Sequence, residues 1–340
     1  MTKRGPQLDR SVLRLALPVA ALGLLLAFNA IFTPGFFTLE WRDGRLYGTL
    51  VDILNHGSKV GIVAIGMTLV IATGGVDLSV GAVVAIAGAV AATLASRDVG
   101  TPWCVLAAAG VGIAAGAWNG LLVTLLKLQP IVATMILMVT GRGIAQLITG
   151  GMIITFDSTS LSSIGNGSIA GLPVPVTMLA VALVAAWAAT RRTALGLFLE
   201  SVGDSAAAAW LSGVPARTIT VVAYTVCGLC AAAAGLIECS YIRAADANNA
   251  GLFLELDAIL AVVIGGTALT GGRFSLVGSF IGALLIQALT KTLYMQNVSA
   301  EIAPAPKALV VLAVCLLYSP TLRERIRGAL RRTPATGTTP

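Results

Sequence analysis

Charge is scarce in this chain. Of its 340 residues only 11% are Asp, Glu, Lys or Arg, while 57% are hydrophobic. Soluble domains carry about 25% charged residues, so this chain has too little polar surface to live in water. Histidine occurs once, at His56, and a lone imidazole cannot build a metal centre. The five cysteines suggest no disulfide framework. Cys227 and Cys230 make a C-x-x-C inside an apolar run, without another metal-type ligand nearby, and read as small helix-packing residues. A G-x-x-x-x-G-K-[ST] phosphate loop is missing, which excludes ATP hydrolysis by the chain itself. No nucleophile–base pair lies within the apolar runs, so a membrane enzyme finds no support, and no cofactor or metal is called for. Alternating ten-residue strands are missing too, which argues against a membrane barrel.

What the chain has is long apolar runs and a mean hydropathy of +0.91. Runs of about 18–25 residues are the length of a transmembrane helix. Ten are predicted: 15–32, 51–73, 80–95, 103–126, 131–149, 172–190, 219–240, 256–269, 276–293 and 307–319. The fold expected is therefore an all-α polytopic membrane protein. Residues 1–14 form a basic N-terminal tail, 15–320 the transmembrane domain and 321–340 a C-terminal tail. The first run looks like a signal peptide, but no small-x-small cleavage site follows it and further spans do, so it reads as an uncleaved anchor.

Ten spans put both termini on one side, and the positive charges say which. With the N-terminus in the cytoplasm, inner segments hold Lys3, Arg4, Arg10, Arg14, Lys127, Arg191, Arg192, Arg217, Arg273, Arg323, Arg325, Arg327, Arg331 and Arg332, fourteen of the 22 basic residues. Outer segments and span ends hold seven: Arg42, Arg45, Lys59, Arg97, Arg243, Lys291 and Lys307. Arg142 lies within a span. This asymmetry accounts for the net charge of +7 without a nucleic-acid partner.

The longest connection is residues 191–218, RRTALGLFLESVGDSAAAAWLSGVPART. On this orientation it is cytoplasmic. Asp204 or Ser205 is a helix N-cap, Ala206 to Ala209 are strong helix formers, Gly213 suits a left-handed C-terminal cap and Pro215 stops the helix. A helix of about two turns is expected, roughly 10 Å long and too short to stand alone. We read it as a knob that docks into a separate ATP-hydrolysing protein through Glu200, Gly203, Asp204, Ser205, Trp210 and Gly213. A solvated polar face is the alternative for Glu200 and Asp204.

Two nine-residue stretches echo one another. Residues 73–81 read TGGVDLSVG and 270–278 read TGGRFSLVG, five of nine positions agreeing without gaps. Each follows an apolar run entered from the same side, as in transporters built from repeated halves with broken helices at the binding site. A glycine-rich chain also produces such matches by chance. Asp77 falls at the first break, where an ionisable group is costly and therefore faces a cavity, a partner or an ion path. It serves equally well as a cap for the helix beginning at Ser79–Val80. A path for an uncharged, hydrogen-bonding solute would draw on Asp77, Ser79, Trp118, Asn119, Arg142 and Gln146. Structural alternatives stand beside each: interfacial packing for Trp118, interhelical hydrogen bonds for Asn119 and Gln146, an ion pair or snorkelling for Arg142. Asp246, Asn248 and Asn249 lie in an outer loop, available to an arriving solute or a docking protein, or simply solvated.

Residues 61–88, GIVAIGMTLVIATGGVDLSVGAVVAIAG, resemble the signature of permeases from bacterial sugar ABC importers of the ribose/xylose/galactoside type. The likeness continues through WNGLLV at 118–123, LQPIVATMILMVTGRGIAQLITGG at 128–151 and TALGLFLESVG at 193–203. The segment IRAADANNAGLFLELDAILAVVIGG at 242–266 is most similar to the galactofuranose branch. The resemblance covers about Leu46 to Val314. It implies an inner-membrane permease of ABC importer fold that works by alternating access. Its partners would be a cytoplasmic ATP-binding subunit, a periplasmic sugar-binding protein, a second permease subunit in a homo- or heterodimer, and the lipid bilayer. Ribose or another monosaccharide, branched-chain amino acids and ion-coupled sugar symport are the alternatives. Two departures stand out. Ala206 to Trp210 is less polar than the family's coupling helix, and Glu238 and Cys239 are unexpected near the end of a span.

Overall fold

The computed structural model describes residues 10–42, 44–299, 302–309 and 312. Among the described residues, seven helices are long and apolar enough to cross a membrane. In chain order these are α1 (Arg10–Phe32, apolar over Leu15–Phe32), α2 (Thr49–Ala72), α4 (Thr101–Thr124), α5 (Pro130–Thr149), α7 (Val174–Arg192), α10 (Ala216–Ile242) and α12 (Leu276–Met295). The predicted third and eighth spans are the shorter α3 (Val80–Ala95) and α11 (Leu254–Ile264). Both adjoin the two glycine turns, which cut the apolar runs short. Most of the predicted tenth span, residues 1–9 of the predicted N-terminal tail and the whole C-terminal tail lie outside the described residues, while residues 10–14 of the N-terminal tail already belong to α1.

Three shorter helices also occur among the described residues: α6 (Thr159–Asn166), α8 (Leu195–Asp204) and α9 (Ala206–Leu211). The predicted polar loop 33–48 contains an antiparallel hairpin, β1 (Glu40–Arg42) with β2 (Arg45–Tyr47). The loop 150–171 holds β3 (Ile154–Thr155), α6 and β4 (Ser168–Ile169), which pairs with β5 (Leu172–Pro173). β3 pairs with β6 (Ala244–Ala245), beyond α10. Ser158 caps α6 by accepting from the Leu161 N–H at 3.3 Å.

Helix starts follow elementary rules. Proline occupies the first turn of α4, α5 and α7, where its missing N–H is unneeded. Gly150 ends α5 in the left-handed conformation at φ 63°.

α10 is the central post and packs on α2, α3 and α4. Its contact with α4 depends on residues without side chains. Gly112, Gly116 and Gly120 line one stripe of α4, and a Cβ on Gly120 would sit 2.8 Å from the Val221 Cα. Cβ atoms on Gly112 and Gly116 would strike the carbonyls of Gly228 and Tyr224. This spacing of small residues lets two backbones meet inside a membrane. The core joins residues of α2, α3, α10, α11 and α12 with Leu199 and Val202 of α8. By contrast, Leu24 of α1, Val139 of α5 and Val181 of α7 are exposed, as lipid-facing side chains are. Cys227 and Cys230 pack beside Gly66 of α2, and no cluster of potential metal ligands occurs among the described residues.

Candidate functional site

The predicted site residues fall into three groups. At the break between α2 and α3, Asp77, Ser79 and Asn119 form one buried hydrogen-bonded knot. Asp77 Oδ1 accepts from the Ser79 N–H at 2.9 Å and from the Ser79 hydroxyl at 2.7 Å. The Asn119 amide donates to the Ser79 hydroxyl at 2.8 Å and to Asp77 Oδ1 at 3.3 Å. All three are buried, and the Asn119 Oδ1 is left without a partner. The Tyr224 hydroxyl donates to the Val76 carbonyl at 3.3 Å, holding the same turn to α10. Trp118, next to Asn119 along α4, points outward with 55% exposure. One residue along a helix turns the side chain by about 100°, so the two do not share a site.

Against the first turn of α3, where Gly251 meets Gly81, lies a clasp around residues 244–253. From α5, Arg142 donates to the carbonyl of Ala247 at 3.3 Å and to that of Ala250. One turn further, the Gln146 amide donates to Asn248 Oδ1 at 2.7 Å. From α10, Glu238 Oε1 accepts the Gly251 N–H at 3.1 Å, while its Oε2 pairs with Lys59 of α2 at 3.2 Å. Inside the loop, Asp246 accepts from the Asn248 and Asn249 N–H groups and from the Asn249 amide at 2.7 Å. The Asn249 side chain, with those backbone donors, holds the Asp246 carboxyl below the usual carboxylate range. Arg142, Gln146, Asp246, Asn248 and Asn249 are therefore one assembly, although the sequence reading separated path from loop. Glu238, an unexplained departure in the sequence, is its other anchor.

Three lysines counted against the charge asymmetry are ion-paired. Lys59 joins Glu238, Lys291 joins Asp52 at 2.8 Å and Lys307 joins Asp257 at 3.0 Å. Each ties separate parts of the chain together.

The third group is the central segment. The helix expected between Asp204 or Ser205 and Gly213 is present as α9, and a further helix, α8, precedes it where only a connection was expected. α8 ends at Asp204, and the six-residue α9 starts at Ala206. Ser205, not Asp204, caps α9, its hydroxyl accepting from the Ala208 N–H at 3.3 Å. Gly213 takes the left-handed conformation at φ 83°. The kink at Ser205 arises because an extended residue, φ −161°, ends one helix and caps the next. Trp210 and Leu211 at the tip are 69% and 79% exposed. Asp204 and Ser205 are exposed, Glu200 is half-buried, and Gly203 is wedged beneath against Ala72 and Gly272.

A chain with a helical membrane core, a polar clasp on one face and an apolar-tipped knob on the other invites comparison with transporters. A family model described as "Branched-chain amino acid transport system / permease component" matches residues 49–319. The galactofuranose transporter permease protein YtfT of Escherichia coli (strain K12) is 51% identical over 92% of each chain. The fructose import permease protein FruF of Bifidobacterium longum (strain NCC 2705) is 38% identical over 90% of this chain and 88% of its own. The ribose import permease protein RbsC of Escherichia coli (strain K12) is 37% identical over 87% of this chain and 91% of its own. No solved structure matches. With more than three quarters of its length matched by the model, the chain belongs to this family of transport-system permease components.

Proposed function

We propose that the protein is the translocation subunit of an ATP-driven sugar importer whose cargo is galactofuranose. The observation that carries this reading is the 51% identity, over 92% of both chains, to a permease named for that sugar. Relatives at 38% and 37% identity are named for fructose and ribose, which makes another monosaccharide the second reading and disfavours amino acids. In this mechanism the chain sits in the inner membrane with both termini cytoplasmic. A periplasmic binding protein delivers the sugar to the clasp around Asp246, Asn248 and Asn249. A second permease subunit completes the path, and Arg142 and Gln146 of α5 release the loop as the path opens. Asp77, Ser79 and Asn119 hold the break between α2 and α3 in shape. A separate ATP-binding subunit receives the tip Trp210–Leu211 and drives the spans between outward- and inward-open states.

The exposed apolar tip supports the docking role, since Trp is enriched at the centre of protein interfaces. The test is reconstitution in vesicles with the binding protein and the ATP-binding subunit. ATP-dependent accumulation of labelled galactofuranose, undiminished by excess ribose, is expected. Accumulation against a gradient without nucleotide would refute the ATP-driven mechanism, and failure of the binding protein to bind galactofuranose would hand the cargo to the second reading.

A further inference from the structure

The two echoing glycine turns meet. The Gly272 N–H donates to the Ala72 carbonyl at 3.1 Å, a backbone hydrogen bond between residues 200 positions apart. Gly74, Gly271 and Gly272 have φ of 81°, 84° and 81°, a region that glycine occupies freely. A Cβ on Gly271 would lie 2.8 Å from the Gly74 nitrogen and 3.0 Å from the Gly203 carbonyl oxygen. A Cβ on Gly203 would be driven into the Ala72 carbonyl and the Gly272 nitrogen. Three backbone segments, one from each turn and one from the end of α8, thus touch without side chains between them. The adjoining Leu199 and Val202 of α8 sit in the same core as Ala72 and Leu276. Packed interiors deform little and transmit displacement.

We propose that Gly203, Gly271 and Gly272 are positioning residues for transport: they weld α8 to both glycine turns, so that a push on the central segment moves the ends of α2 and α11 and the starts of α3 and α12 as one block. This rests on the ATP-driven reading above. It adds that α8, rather than the capped α9 at the tip, is the element that carries the stroke, and that both turns receive it together. The alternative is a sliding contact, in which α8 parts from the second turn during the cycle.

The geometry supplies the test. A Cβ built on Gly272 lies 3.6 Å from the Cβ of Asp204, inside the span a disulfide bridges. Asp204→Cys with Gly272→Cys is oxidised in membranes holding the permease with its ATP-binding subunit, in nucleotide-free, ATP-bound and vanadate-trapped states. The cross-linked fraction is expected to agree within about two-fold across the three states, with the single-cysteine variants giving none. The cross-link itself is the readout for this pair, since Gly272 is one of the positioning residues. A ten-fold fall of the cross-linked fraction in any state, or no cross-link at all, would overturn the block. A second variant covers poor membrane insertion of the cysteine pair. Gly203→Ala is expected to cut uptake at least ten-fold at unchanged membrane level while ATP hydrolysis continues. Gly110→Ala, whose Cβ would meet nothing within 4 Å, is expected to leave uptake unchanged. Wild-type uptake by an inserted Gly203→Ala permease would also refute the proposal. ATP-independent uptake by the wild type would instead indict the transport reading and leave the cross-linking result standing.

Discussion

Lys59 of α2 and Glu238 of α10 face each other at 3.2 Å, with only 24% and 21% of their side chains exposed. The carboxylate also accepts the Gly251 N–H, so one ion pair joins two core helices to the loop. Removing one partner strands the other charge, whereas removing both costs far less. Glu238→Gln should therefore lower stability by about 1–3 kcal/mol, and Lys59→Met with Glu238→Gln should recover at least half. Thermal unfolding in detergent, read as a double-mutant cycle, measures the coupling. Equal melting of the single and double variants would show the pair contributes nothing.

Asn119 and Trp118 are neighbours in sequence with opposite surroundings. Asn119→Leu takes one hydrogen-bond donor away from the buried Asp77 side chain, leaving Ser79 and the Cys227 thiol. An uncompensated buried polar group costs about 1–3 kcal/mol. Trp118→Leu changes a side chain that is half exposed on an apolar face. The first variant should lower the melting temperature by several degrees and the second by less than one or two. The reverse order would mean that the knot at the glycine break is not a stabilising element.

Much of this was legible before the structure. Long apolar runs located α2, α4, α5, α7, α10 and α12, and turn chemistry at Ser205 and Gly213 placed α9. The signal for α8 was also present: Leu195, Phe198, Leu199 and Val202 recur at i, i+3, i+4 and i+7. The flanking charges Arg192 and Asp204 hide it by giving the segment the look of a connection. Long-range pairing was beyond reach. Lys59 and Glu238 are 179 residues apart, and Asp77 and Asn119 are 42 apart. No local pattern states which polar residues of two spans will face one another. The glycine junction lay between these extremes, since the echo marked both turns but could not show that they touch.

Arg142 reaches two carbonyls of the loop at once. Both bonds leave one nitrogen, Nη1, whose two N–H groups are fixed in the guanidinium plane, a geometry that a rotating lysine ammonium lacks. Arg142→Lys should therefore behave more like Arg142→Ala than like the wild type. Both should raise hydrogen exchange at residues 244–253 by at least about ten-fold, equivalent to about 1.4 kcal/mol of lost local protection. Protection retained in Arg142→Lys would mean that charge alone holds the loop.

Asp246 gives the clasp a pH dependence. Its carboxyl is held below its ordinary value of about 3.9, first by the Asn249 side chain and then by the backbone N–H groups of Asn248 and Asn249. A group whose folded pKa is depressed contributes order above its unfolded pKa and loses it as pH falls through the folded pKa. The loop should therefore keep full protection from neutral pH down to about 4 and loosen only below that. Asn249→Ala removes the largest cause of the shift, so the carboxyl should rise toward its ordinary value and loosening should begin at higher pH. Limited proteolysis of residues 244–253 between pH 3 and pH 7 reads the midpoint directly. A midpoint that does not move in Asn249→Ala would show that the backbone donors alone hold the carboxylate. At neutral pH both proteins have an ionised Asp246, so uptake assayed there should not separate them.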